Sequence, residues 1–166
     1  NIGNTQIVLG SVLLVILVAY IILGFTLPAG FDWNTFLPDG KFFIYDGFAQ
    51  NIKALFTTTS LIYVAFIGFE VIADDAEEIK NPSKNIPNGI MISLTLCLIL
   101  YPLISMVTLG TIPWIELAGS DTALSDASSR FLPGIGPMAL AAAGILATIT
   151  TLNSAMLSAT REAFTM

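Results

Sequence analysis

The sequence contains no histidine and a single cysteine, Cys97. Those two gaps remove most side-chain chemistry. A serine–histidine triad has no base, a cysteine–histidine zinc cluster has no ligand set, and no disulfide can close within the chain. Cys97 lies inside an apolar stretch and reads as a small packing residue. Charge is scarce too, at 11% of residues, and lopsided: six Lys and Arg against twelve Asp and Glu leave a net charge of −6. Such a balance repels polyanions, so nucleic acid is not an expected partner. A signal-peptide pattern is missing, because the first apolar block is too long and has no basic flank. The chain opens on Asn1 and stops at "REAFTM" as its last apolar block ends, which reads as a piece of a longer protein.

What is abundant is apolar surface, at 55% of residues. That composition belongs in a membrane. The apolar residues fall into four blocks, at about 5–26, 52–73, 86–112 and 138–158. Each is long enough to cross ~30 Å of hydrocarbon, which takes about 20 helical residues. Lipid offers no partners for backbone N–H and C=O groups, so each block is expected to be a helix, giving an all-α, multi-pass membrane protein. The connectors are residues 27–50 and 113–137 on one face of the membrane and 80–86 on the other. Within 113–137, Leu124, Ala127 and Phe131 recur near helical spacing ahead of Pro133, which predicts a short amphipathic helix. Basic residues split evenly, with Lys80, Lys84 and Arg161 on one side and Lys41, Lys53 and Arg130 on the other. The positive-inside rule therefore gives no orientation.

The second block changes solvent partway along. On a helix from 70 to 79, Glu70, Asp74, Asp75, Glu77 and Glu78 share one broad arc, opposite Ile72, Ala73, Ala76 and Ile79. Carboxylates in that number cannot face lipid, so the arc must meet water, a cation or a basic partner. Asn81-Pro82 reads as a helix stop and Pro87 as a first-turn residue of the next helix. Two readings of the block remain open. In one, a single unbroken span leaves Glu70 a turn from the interface, where polar side chains snorkel. In the other, the helix breaks near 67–70, after which it continues to 79 lining an aqueous vestibule, with Glu70 near midplane. Broken helices are tolerated at depth only where the freed backbone lines a cavity.

The stretch "FIGFEVIADDAEEIKNPSKNIP", residues 66–87, resembles the sixth helix and following loop of amino acid permeases of the amino acid–polyamine–organocation superfamily. The shared pattern is Gly-Phe-Glu or Gly-Phe-Asp, then Glu-Glu-x-x-Asn-Pro and a second Pro. "TLGTIPWIELAGSDTALSDASSRFL" is similar to the external loop after the seventh helix of that family, and "LATITTLNSAMLSATREAFTM" to its eighth helix. The whole chain is thus covered as helices five to eight. The resemblance implies part of a leucine-transporter-like inverted-repeat bundle, with a discontinuous helix near Gly68 and a cytoplasmic 80–86 loop. It implies a substrate ammonium held by backbone of the broken helix, which falls on Val64, Ala65, Ile67, Gly68, Phe69 and Glu70. Exposed carbonyls suit an ammonium, as orphan amides suit a carboxylate.

The fourth block, with a span reaching 160, adds Thr148, Thr150, Thr151, Asn153 and Ser154 to an apolar segment. Small polar residues there pack helix on helix. The resemblance implies a second role, because hydroxyls at this level line the cation site of sodium-coupled relatives, and Thr150, Thr151 and Ser154 are the matching candidates. Some proton-coupled relatives use a fifth-helix lysine instead. The first block contains none. Glu70 is the alternative coupling group, since a carboxylate withdrawn from water favours its neutral, protonated form.

The expectation is a secondary active transporter in the cell membrane that moves amino acids by alternating access, as ion-coupled symport or exchange. It performs no covalent chemistry and needs no cofactor beyond a coupling proton or sodium ion. Its partners are the amino acid, membrane lipid and the remaining helices of the parent transporter. The rival reading is a helical membrane subunit that anchors or senses through the acidic half-helix without transporting. An enzyme would need a nucleophile with a base, or a metal cluster, and the sequence groups neither.

Overall fold

The computed structural model describes residues 2–41, 45–66, 68 and 79–165. Among these residues the chain is helical, with turns between helices and no strand. In chain order the α-helices are α1 (Ile2–Thr26), α2 (Trp33–Phe36), α3 (Phe48–Ile62), α4 (Pro82–Thr111), α5 (Trp114–Leu117), α6 (Ala123–Phe131) and α7 (Ile135–Thr165). Among the described residues, three segments are long and apolar enough to cross a membrane: Thr5–Thr26, Pro82–Thr111 and Ile135–Thr160. They correspond to the first, third and fourth apolar blocks. α3 has 15 residues, or ~22 Å at 1.5 Å per residue, short of a bilayer core. The rest of the second block, residues 67 and 69–78, lies outside the described residues.

The chain forms two compact units, one of residues Asn1–Pro38 with Leu100–Met166 and the other of Asp39–Ile99. In the first unit α1 and α7 run side by side, and α6 packs on both. The core joins Tyr20 and Ile21 of α1 to Val107 of α4 and to Ala127 and Phe131 of α6, all buried. The Tyr20 and Phe131 rings meet at 5.5 Å, and the Tyr20 hydroxyl is hydrogen-bonded to the Thr108 hydroxyl at 2.8 Å. That pairing satisfies two polar groups which the apolar surroundings would otherwise penalise.

Two glycines set how closely the elements approach. A Cβ on Gly24 would stand 2.2 Å from Val107 Cγ1, and one on Gly110 would stand 2.1 Å from Phe31 Cδ2. The chain leaving α1 therefore folds tightly onto the end of α4: the Phe31 N–H donates to the Gly24 carbonyl and the Asp32 N–H to the Gly110 carbonyl, both at 2.8 Å. Phe31 also stacks edge-on against Trp33 at 5.0 Å. Gly110→Ala in the full-length protein is expected to cost about 1–3 kcal/mol by overpacking against the Phe31 ring. Thermal unfolding of the detergent-solubilised protein checks this. A midpoint equal to that of the parent would show that the Phe31 loop yields.

The amphipathic helix expected between the third and fourth blocks is α6. Ala127, Ser128 and Phe131 are its buried residues, while Leu124 is 37% exposed at the first turn. Asp126 accepts from the Ser120 and Thr122 hydroxyls and so ties the preceding turn to α6. The Glu116–Arg130 ion pair at 2.6 Å is exposed, and pairs of that kind contribute little.

In the second unit α3 starts after Gly47, and Asn51 bonds both backbone groups of Tyr45, which fixes the entry turn. The start of α4 differs from expectation. Pro82 begins this helix, and Pro87 is its sixth residue rather than part of its first turn. The reason is local. Asn81 takes φ +52°, a conformation asparagine tolerates, and its carbonyl accepts the Asn85 N–H at 3.0 Å. Pro82 then occupies the first helical position, where its missing N–H costs nothing. The 80–86 connector shrinks accordingly, since residues 82–86 are helical.

Candidate functional site

Val64 and Ala65 lie in a 3₁₀ turn, Tyr63–Phe66, into which α3 tightens after Ile62. Gly68 follows with φ +113°, outside any α-helical geometry. Among the described residues, Tyr63–Phe66 and Gly68 thus depart from α-helical geometry. A 3₁₀ turn redirects the last carbonyls of a helix and marks a change of direction in an apolar segment. Val64 is exposed, at 63%. Ile67, Phe69 and Glu70, the other three substrate candidates, lie outside the described residues, as does the acidic arc from 74 to 78.

Thr150, Thr151 and Ser154 are on α7 and belong to the first unit, whereas Val64, Ala65 and Gly68 belong to the second. Thr150 and Ser154 are half-buried and Thr151 is exposed. The Thr150 hydroxyl donates to the Ala147 carbonyl at 2.9 Å, and the Ser154 hydroxyl bonds the Thr150 carbonyl at 3.1 Å. Such back-bonding satisfies a hydroxyl inside an apolar helix.

The structure adds a residue that no motif had marked. Gln6, on α1, donates through Nε2 to the Thr150 carbonyl at 3.0 Å and to the Ser154 hydroxyl at 2.6 Å. Its Oε1 accepts from Asn153 Nδ2 at 2.7 Å. Thr150, Asn153 and Ser154 stand at i, i+3 and i+4, hence on one helical face, and that face meets α1. The signal available in the sequence was an amide one residue inside an otherwise apolar span, since polar side chains within membrane helices are placed against partners. An open groove of about 390 Å³ lies beside the cluster, lined by Thr5, Gln6 and Leu9 of α1 and by Ile149, Asn153 and Met156 of α7 among others.

Comparison with known proteins bears on this arrangement. The profile of the amino acid permease family matches residues 1–166. The branched-chain amino acid permease BcaP of Bacillus subtilis (strain 168) is 35% identical over 108 residues, covering 63% of this chain and 21% of that protein. The methylthioribose transporter of the same organism is 30% identical over 159 residues, covering 94% of this chain and 31% of the relative. Cationic amino acid transporter 4 of Mus musculus is 33% identical over 157 residues, covering 94% of this chain and 23% of the relative. The chain thus spans between about a fifth and a third of the length of these three proteins. No solved structure gives a significant match. The names of these relatives describe transport rather than catalysis. A family profile aligned from the first residue to the last, over the same motifs that carry the resemblance, establishes that this chain belongs to the amino acid permease family.

Proposed function

We propose that the full-length protein is a secondary active transporter of the cell membrane that moves amino acids by alternating access, as ion-coupled symport or exchange. The observation that carries this reading is the loss of α-helical geometry after Ile62, through the 3₁₀ turn to Gly68 at φ +113°. It falls inside an apolar block and on the residues where the family motif begins. Backbone that leaves the helix at that depth is tolerated where it lines a cavity, and there it serves as a ligand. Val64, Ala65, Ile67, Gly68, Phe69 and Glu70 form one wall of the amino acid site in this reading. Thr150, Thr151 and Ser154 are the coupling-ion candidates, with Glu70 as the proton-exchanging alternative. The chain supplies part of an inverted-repeat bundle completed by the remaining helices.

Names among the relatives cover branched-chain amino acids, cationic amino acids and methylthioribose, so the test uses all three classes. Full-length protein in proteoliposomes is offered radiolabelled leucine, arginine and methylthioribose, with imposed proton or sodium gradients. Uptake of an amino acid above that of empty vesicles, driven by one gradient, is the expected result. Uptake of methylthioribose alone would move the substrate class. Correctly inserted protein that takes up none of the three would favour the anchoring or sensing subunit.

A further inference from the structure

Every aromatic ring between residues 25 and 36 belongs to one cluster. Phe31 is at its centre, with ring centroids 5.1 Å from Phe25, 5.0 Å from Trp33 and 5.6 Å from Phe36, and Trp33 meets Phe36 edge-on at 6.0 Å. Four packed rings would ordinarily sit in a core. Here Trp33 is 62% exposed and Phe25 41%. The Phe31 ring covers Gly110 in the last turn of α4, so the cluster lies where two apolar segments of bilayer length end, at Thr26 and Thr111. A second patch follows directly. After buried Ile112, Trp114 is 43% exposed and Ile115 70%.

Each patch carries a carboxylate beside its tryptophan. Asp32 is exposed, and its side chain accepts from the Thr35 N–H at 3.3 Å and the Thr35 hydroxyl at 3.2 Å, capping the turn that bears Trp33 and Phe36. Glu116, two residues beyond Trp114, is exposed and paired with Arg130. Charged groups stay out of hydrocarbon, whereas exposed rings gain by leaving water. A ring and a carboxylate so close along the chain therefore bracket a boundary between the two solvents. The interfacial layer of a bilayer satisfies both at once, and tryptophan, an apolar body with one N–H, is enriched there. A protein helix laid over the rings would crowd both carboxylates out of water, which is costly. The two patches also share one level, because the Asp32 N–H donates to the carbonyl of Gly110, four residues before Trp114.

We infer that Phe25, Phe31, Trp33, Phe36, Trp114 and Ile115 form a lipid-interface anchor, which holds the neighbouring ends of α1 and α4 at headgroup depth. The occupant of this surface is the interfacial layer of the bilayer. The rings lie among the glycerol groups and upper acyl chains, and Asp32 and Glu116 remain in water. The anchor is prebuilt rather than formed on contact, since the N–H groups of Phe31 and Asp32 tie its loop to the carbonyls of Gly24 and Gly110. The inference goes beyond the transport reading and does not depend on which substrate moves.

The test uses full-length protein in proteoliposomes, with every tryptophan except Trp33 replaced by phenylalanine, and a second protein that keeps Trp114 alone. Fluorescence is compared in ordinary phospholipid and in phospholipids brominated either near the headgroup or near the chain end. Bromine near the headgroup is expected to quench each tryptophan about twofold or more, and bromine near the chain end to quench it less. Three results would overturn the anchor. Quenching by aqueous acrylamide without any by brominated lipid would place the ring in water. Quenching by neither would place it under protein, and stronger quenching from the chain end would place it in the hydrocarbon.

A second measurement keeps the other tryptophans in place and reads anchoring itself. In a background whose native cysteines, Cys97 included, are replaced, Asn34→Cys reports from the exposed side of the turn. Trp33→Ala with Trp114→Ala is expected to raise its labelling by a membrane-impermeant thiol reagent at least about threefold, as the turn lifts from the interface, whereas Trp33→Tyr with Trp114→Tyr should stay near the parent rate, because tyrosine also favours that layer. Labelling unchanged by the alanine pair would overturn the anchor, as would a tyrosine pair that labels as fast as the alanine pair.

Discussion

Gly68→Ala in the full-length permease is expected to lower amino acid uptake at low substrate concentration by about tenfold or more. Gly68 has φ +113°, a region that residues with a Cβ adopt only at a cost of about 1–3 kcal/mol. Each 1.4 kcal/mol is about a tenfold change in an equilibrium. The cost is conformational rather than steric, because among the described residues no atom lies within 4 Å of where the Cβ would stand. Valine, stiffer at χ1, should be worse than alanine. The sign of the effect is what makes the experiment decisive. Were residue 68 helical in the working protein, Gly→Ala would stabilise it by about 0.5–1 kcal/mol. Uptake assays with unfolding curves on the same variant separate the two cases. Lost uptake with an unchanged or lowered midpoint supports a functional break at Gly68, and intact uptake with a raised midpoint would dismiss it.

Glu70→Gln is expected to retain amino acid binding and to lose the pH dependence of transport. Glutamine matches the shape and most of the hydrogen bonding of a protonated glutamate but cannot titrate. If Glu70 carries the coupling proton, uptake by the parent rises as external pH falls and the neutral form becomes populated, by at most about tenfold per pH unit for one proton. The glutamine variant should show a flat profile, and Glu70→Asp should keep a sloped one. An unaltered profile in Glu70→Gln would make the carboxylate a support for the unwound turn and move the proton route elsewhere. Thr150→Val and Thr151→Val, assayed under a sodium gradient, then become the informative pair.

Glu70 and the acidic arc were legible only as a change of solvent along one apolar block. Their placement falls outside the described residues, so their role rests on chemistry and on the family motif. The departure from α-helix was legible only in part. A break near 67–70 was one of two readings the residues left open, with Gly68 two positions before Glu70, and among the described residues the chain leaves α-helical geometry at the 3₁₀ turn Tyr63–Phe66. Propensity locates a permissive residue, whereas the point at which a helix lets go depends on where its last carbonyls find partners.

The sequence by itself determined the long helices and the family. Apolar runs of bilayer length have one backbone solution when water is absent, so α1, α4 and α7 follow from composition and length. Spacing and Pro133 likewise announced α6, and residues 66–87 announced a permease. Tertiary structure alone decided the partners. That Gln6 should bond Thr150, 144 positions away, is not written in any periodicity, because a helical period says which residues share a face and nothing about which helix that face will meet. The same holds for Gly24 against Val107 and Gly110 against Phe31. A glycine in a membrane helix announces that something approaches closely, and only the packed chain shows what.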